Sequence, residues 1–343
     1  MIKRRDFLLS LAAVCGGCAA PAGSSGSGWS SAALRRAEGY AKGPGGQGWA
    51  AWEGHRRVAV WNPAARGPSL SLTKVLGALA ATKAAGEGWL SDSECVAQTI
   101  PEWRSDPRKS RITVSMLLQQ TAGLEAGVAA LYRNPYDKGR AAVALAAVDE
   151  PGSLFRYGPA CWEVLAELMQ RKLAARGETL EKFLHRTVMS PIGLGSPNWR
   201  SDKKGRFFLS TGAEMSVEEL GRLGRTLAAL LRGSGADGFD PAHFARMTRP
   251  SAANPIFGGG IWRNANARKA GASQIEIEDA LDPPRGPGFW SAACISHRQP
   301  SSMAALVGSS GKRVFIWPAE GKVIARLGRS SAWKDGPFLD ALA

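Results

Sequence analysis

Polar and apolar positions follow two rhythms along this chain, and the switch between them divides it into three stretches. Residues 31–42 predict a short helix, and a glycine-rich link follows it. Gln47-Gly48-Trp49-Ala50-Ala51-Trp52-Glu53 then reads as a strand, Gly54-His55 as a turn, and 57–61 as a second strand. Two short strands on a tight turn predict an antiparallel hairpin. After Ser71 the pattern changes. Residues 72–83 are apolar-rich with little β-branching and stop at Gly86-Glu87-Gly88, which predicts a helix. From there to about Arg249 nearly everything reads as helix and loop, most clearly 114–120, 163–175, 180–189 and 217–232. Strand patterns return at 257–263, 302–307, 313–317 and 322–327, ahead of a last short helix at 338–343.

Strands at both ends of a helical middle predict a mixed α/β fold, in which the terminal strands join in one antiparallel sheet flanked by helices and the middle forms a helical insertion domain. The expected boundaries are a mixed domain from 31–75 and 250–343 and a helical domain at 76–249, with a Gly/Ser-rich tether at 23–30. With 343 residues, 44% of them apolar, the chain can bury a core of that size. The groove between the two parts is the default place for a ligand. Gly258-Gly259-Gly260 before Ile261-Trp262 reads as a bend in a strand rather than a phosphate cradle.

The first residues read differently. Lys3-Arg4-Arg5 precedes the apolar run Phe7-Leu8-Leu9-Ser10-Leu11-Ala12-Ala13-Val14 and then small residues, the layout of an export signal over 1–22. Arg4-Arg5-Asp6-Phe7-Leu8 also resembles a twin-arginine signal, which carries folded proteins across a bacterial inner membrane. Gly16-Gly17-Cys18-Ala19 matches part of a lipoprotein processing site, with Cys15 where leucine is usual. Lipid anchoring through Cys18 therefore stays open, and the expected location is the periplasm or cell envelope. The apolar run is too short to span a bilayer.

The net charge of +15 raises the question of nucleic acid, but the basic residues are scattered and carry no zinc-finger, helix-turn-helix or aromatic-interleaved pattern. No nucleic-acid partner is expected. Beyond the leader only Cys95, Cys161 and Cys294 remain, allowing at most one disulfide, and neither they nor the four histidines have metal-ligand spacing. No metal or cofactor is expected.

The candidate chemistry begins at Ser71-Leu72-Thr73-Lys74. Residues at i and i+3 share a helix face, so the lysine amine can approach the serine oxygen. A neutral amine there can take the hydroxyl proton and activate a weak nucleophile. A tyrosine beside a lysine ammonium would ionise more easily than usual. Serine also caps helices and lysine favours them, so the tetrad needs support from the rest of the chain.

That support comes from several landmarks in order. They are Ser71-Leu72-Thr73-Lys74, then Ile112-Thr113-Val114-Ser115-Met116-Leu117-Leu118-Gln119-Gln120-Thr121-Ala122-Gly123-Leu124, Phe155-Arg156-Tyr157-Gly158-Pro159, and Phe257-Gly258-Gly259-Gly260-Ile261-Trp262. The tail adds Gly308-Ser309-Ser310-Gly311-Lys312-Arg313-Val314-Phe315-Ile316-Trp317-Pro318. Over residues 31–330 this resembles the serine β-lactamase-related family: class C β-lactamases, D-alanyl-D-alanine carboxypeptidases, family VIII carboxylesterases and 6-aminohexanoate-dimer hydrolases. The resemblance implies the β-lactamase/transpeptidase-like fold. It implies Ser71 as acylated nucleophile, Lys74 as proton acceptor and Tyr157 as proton relay on the family's Tyr-x-Asn motif. It also implies an oxyanion hole from the Ser71 N–H and an edge-strand N–H near Gly308, Ser309 and Ser310.

Two positions depart from the family. Pro159 stands where Tyr-x-Asn has its amide, and Leu306-Val307-Gly308 stands where the strand has Lys-Thr-Gly or His-Thr-Gly. The groups that would hold a β-lactam or peptide carboxylate are missing in place, with Lys312 or Arg313 as substitutes. The expected function is an exported serine hydrolase acting on a small ester or amide, cell-wall derived or not. The alternatives are a penicillin-binding D-alanyl-D-alanine carboxypeptidase-like enzyme and a non-catalytic envelope binding protein on the same fold. Oligomeric state is not readable from the sequence. Trp262, Trp290 and Trp317 are candidates for an apolar acyl pocket, with the core as the competing reading.

Overall fold

The computed structural model describes residues 28–133, 135–195 and 198–343. The residues read as an export signal, Cys18 and most of the expected tether lie outside these residues.

Helix α1 (Ser31–Lys42) starts where the Ser30 side chain accepts the Ala33 N–H at 3.1 Å, and it buries Ala33, Leu34, Ala37 and Ala41 on one face. The chain then enters the hairpin of β1 (Gly46–Glu53) and β2 (Arg56–Trp61). Five further strands come from the last third: β3 (Phe257–Gly258), β4 (Ile261–Arg263), β5 (Ala304–Gly308), β6 (Lys312–Trp317) and β7 (Lys322–Gly328). They form one antiparallel sheet in the order β2-β1-β7-β6-β5-β4-β3. The mixed α/β architecture, an open antiparallel sheet flanked by helices, is the expected one.

Apart from the edge strand β2, both faces of the sheet are buried, and strand alternation sorts side chains between two cores. Trp49, Ala51, Phe315, Trp317 and Ile324 face α1 and the last helix, α6 (Asp335–Ala341). Ala50, Trp52, Val314, Ile316, Val323 and Ala325 face the helical middle. There lie α2 (Lys74–Gly86), α3 (Val114–Leu118), α4 (Ala160–Ala174) and α5 (Val217–Leu231). Helix α5 can lie directly on the sheet because Gly221 has no Cβ to collide with the Trp52 ring. Each large apolar side chain so buried contributes about 1.5–3 kcal/mol.

Two elements differ from the sequence pattern. The stretch 257–263 is not one strand: the chain reverses at Gly259 and Gly260, with φ of +62° and +81°, so β3 and β4 pair as a hairpin. The stretch 180–189 is a helix only over Leu180–Leu184, after which His185–Met189 widens into a π turn. A small two-stranded sheet, Arg66–Pro68 with Glu214–Ser216, gave no signal of its own; it delivers the chain to Ser71. Among the described residues, no helix is long and apolar enough to cross a membrane.

Candidate active site

Ser71 sits in a single 3₁₀ turn, Leu70–Thr73, and α2 starts only at Lys74. The turn is anchored by Leu72 and Thr73, which are buried, and by the Ser69 N–H donating to the Ala213 carbonyl at 2.8 Å. Leu70 enters it at φ +49°, a left-handed conformation uncommon for leucine and of a kind that clusters at functional sites. The first bond of the turn runs from the Leu72 N–H to the Ser69 carbonyl at 3.2 Å. The Ser71 N–H thus belongs to the first, unpaired part of the turn, where orphan donors accumulate.

Lys74 is buried at 1% exposure, and its Nζ lies 2.8 Å from the Ser71 Oγ and donates to the Ser210 carbonyl at 2.9 Å. Burial lowers its pKa to about 7, against an opposing pull from the Glu163 carboxylate. Near neutrality the amine is therefore free of its proton a good part of the time. The Tyr157 ring lies 4.9 Å from the same nitrogen. The structure thus brings Ser71, Lys74 and Tyr157 together around one point.

Tyr157 is framed by aromatic rings: Phe155, Phe257 and Trp262 all lie with centroids about 6.2 Å away. Burial raises its pKa to about 12, partly offset by its contact with the Ser71 hydroxyl and by Arg313. This corrects the expectation of an easily ionised tyrosine. The phenol keeps its proton because its desolvation outweighs the neighbouring positive charge. Gln120, in the left-handed region at φ +54°, grips the loop on both sides of Tyr157. Its carbonyl accepts the Arg156 N–H at 3.0 Å and its side-chain oxygen the Gly158 N–H at 2.8 Å. Pro159 sits at the helix cap of α4 and supplies no polar side chain to Lys74.

The end of β5 closes the site from the other side. β5 is not an edge strand: β4 pairs with it at Ala304 and Ala305, but Leu306, Val307 and Gly308 run on past that pairing. Gly308 approaches the Ser71 turn so closely that a Cβ there would stand 2.9 Å from the Ser69 carbonyl. Of the candidate oxyanion donors beyond it, the Ser310 N–H is committed to the Glu278 carboxylate at 2.8 Å, which leaves exposed Ser309 in the β5–β6 turn. Lys312 and Arg313 do not replace the missing lysine and threonine. Lys312 Nζ donates to the Gly328 carbonyl at 2.7 Å, and Arg313 is held by Asp335 at 2.7 Å, Glu278 at 3.2 Å and the Gly308 carbonyl at 2.6 Å.

Trp262 packs against Tyr157 and Trp290 packs against Trp262, whereas Trp317, in the same core, packs edge-on to Trp29. A cavity of about 390 Å³ is lined among others by Leu70, Trp199, Arg200, Thr211 and Gly212; Leu70 and Thr211 are the chain neighbours of Ser71 and Ser210. Cys95, Cys161 and Cys294 are all free thiols. Among the described residues, no group of three His, Cys, Asp or Glu side chains is placed to hold a metal ion.

Sequence reasoning missed four contributors: Gln120, Lys138, Glu163 and Ser210. Gln120 stands inside a motif already singled out, so it was within reach. The other three meet Lys74 only through contacts between distant segments.

A family model described as Beta-lactamase matches residues 35–266. No curated protein matches the chain in sequence. Among solved structures, a protein of Bacteroides dorei DSM 17855 assigned as a beta-lactamase superposes with a TM-score of 0.66 at 16% identity, covering 92% of this chain and 98% of that one. EstCE1, a hydrolase with promiscuous acyltransferase activity, gives 0.61 at 17% identity over 90% and 98%. A penicillin-binding protein homolog from Caulobacter crescentus gives 0.58 at 17% identity over 92% and 97%.

Proposed function

The chain belongs to the beta-lactamase family, and on that premise we propose that it is an exported serine hydrolase. It acts on a small neutral ester or amide through an acyl-enzyme on Ser71. The observation that carries this reading is the 2.8 Å approach of a buried Lys74 amine, with a pKa near 7, to the Ser71 Oγ.

In this reading the Ser71 oxygen attacks the substrate carbonyl carbon as Lys74 takes its proton. The oxyanion is received by the Ser71 N–H and an N–H from the β5–β6 turn at Ser309. Tyr157, protonated because it is buried, hands its proton to the departing alkoxide or amine and recovers one from Lys74. Water then attacks the acyl carbon as the neutral Lys74 takes its proton, the bond from that carbon to the Ser71 oxygen breaks, and Lys74 returns the proton to Ser71.

Leu306 and Val307 in place of a lysine and threonine, with Lys312 and Arg313 occupied elsewhere, favour a substrate without a carboxylate to anchor. That weighs against the carboxypeptidase and β-lactamase readings. The mature protein and its Ser71→Ala variant should be incubated with a fluorophosphonate, a fluorescent penicillin and short-chain nitrophenyl esters, with adducts read by intact mass. A single adduct on the unmodified chain, fastest with the ester-type reagents, is expected. Faster and stable penicillin labelling would instead select the carboxypeptidase reading, and no adduct from any reagent would leave a binding protein on this fold.

A further inference from the structure

Helix α4 carries a glutamate where its surroundings call for an apolar residue. Glu163 is 0% exposed and lies between the buried Trp162 and Val164. Both its oxygens are assigned. Oε2 receives Lys138 Nζ at 2.8 Å, and Lys138 is itself only 3% exposed. Oε1 accepts the Ser210 N–H at 2.8 Å. The carbonyl of the same residue, Ser210, is the one that receives Lys74 Nζ at 2.9 Å. A buried ion pair is a poor way to gain stability, because desolvation of both charges cancels most of their attraction. Here it terminates on the residue that holds the candidate base.

We propose that Glu163, with Lys138 as its counter-charge, is a positioning residue for Lys74: it fixes the Ser210 main chain so that the carbonyl stays on the lysine nitrogen. This serves in place of the side-chain amide that Pro159 cannot offer. The inference rests on the reading of Ser71 and Lys74 as the reactive pair. The groups facing Lys74 are few. Among the described residues they are the Ser71 hydroxyl, the Tyr157 ring, the Ser210 carbonyl and, across that residue, Glu163 with Lys138 and the Tyr132 phenol, which lies against Ser210 and Glu163; the β3–β4 turn meets Lys74 through Gly260. Glu163 is the one negative charge among them, and it opposes the effect of burial on the lysine.

Removing one partner of the pair would strand a buried charge, so the test uses two double variants. Glu163→Gln with Lys138→Met removes both charges and keeps an oxygen for the Ser210 N–H. Glu163→Leu with Lys138→Met removes that acceptor as well. Two readouts are taken on each folded variant. One is the titration of Lys74 followed by ¹³Cε lysine resonances, assigned with Lys74→Met; the other is the pH profile of fluorophosphonate acylation. Both double variants should titrate Lys74 at lower pH than the unmodified chain. The Leu variant should acylate about ten- to a hundredfold more slowly than the Gln variant, the scale of a misplaced reacting group.

An unmoved Lys74 titration, or equal acylation by the two variants, overturns the proposal and leaves the acyl-enzyme reading standing. A shifted titration in a protein that forms no Ser71 adduct supports the positioning role and removes the acyl-enzyme reading instead.

Discussion

Burial does two things to Lys74. It brings the amine to a pKa of about 7, where a base works best near neutral pH, and it places a cationic group in the core below that pH. The rate of Ser71 acylation should therefore rise with pH and level off above about 7, which stopped-flow labelling across pH 5–9 can follow. The same shift acts on stability. The unfolded chain holds the Lys74 proton up to the ordinary lysine value near 10, so stability is lowest below pH 7 and recovers as pH climbs between the two values. Lys74→Met should abolish acylation while raising stability at pH 6 by about 1–2 kcal/mol, a gain that shrinks toward pH 9. Chemical denaturation at both pH values checks it. At this scale the pair Ser71 and Lys74 was legible because it is local, three residues apart on one turn. The protonated state of Tyr157 was not, because Phe257 and Trp262 reach it from a hundred residues away.

Elements matter here mainly through where they touch. The end of β5 meets the Ser71 turn through Gly308, whose added methyl would press on the Ser69 carbonyl and the Leu72 side chain, 2.9 and 3.2 Å away. Gly308→Ala should push strand and turn apart, slowing acylation about tenfold or more for a loss of about 1–3 kcal/mol. Thermal melts alongside labelling rates separate the two effects, and a change confined to stability would place the oxyanion partner elsewhere. Helix α1 was readable from end to end, since its pattern lies within its own residues. β3 and β4 were read as one strand because a reversal on two glycines leaves the flanking apolar pattern intact. β5 was taken for an edge because pairing with β4 depends on only two residues, Ala304 and Ala305, which carry no sign of it.

For the whole molecule, the sheet was legible as a class but not as an order. Nothing local says that the first hairpin pairs with the last strand. Yet β1 pairs with β7 along its full length, Glu53 against Lys322 at one end and Gly46 against Gly328 at the other. Removing everything after Pro318 deletes the strand between β1 and β6 and should leave a chain that does not fold cooperatively, as circular dichroism and limited proteolysis would show. The same pairing sets a clock on biosynthesis. About 270 residues must leave the ribosome between the two partners, which at roughly 5–20 residues per second is about 15 to 50 seconds. Throughout that interval one side of β1 presents unpaired amides and carbonyls to the cytosol, an open template for strands of other chains. Slowing translation of the last third should lengthen that exposure and increase aggregation of the newly made chain, as pelleting of pulse-labelled protein would show.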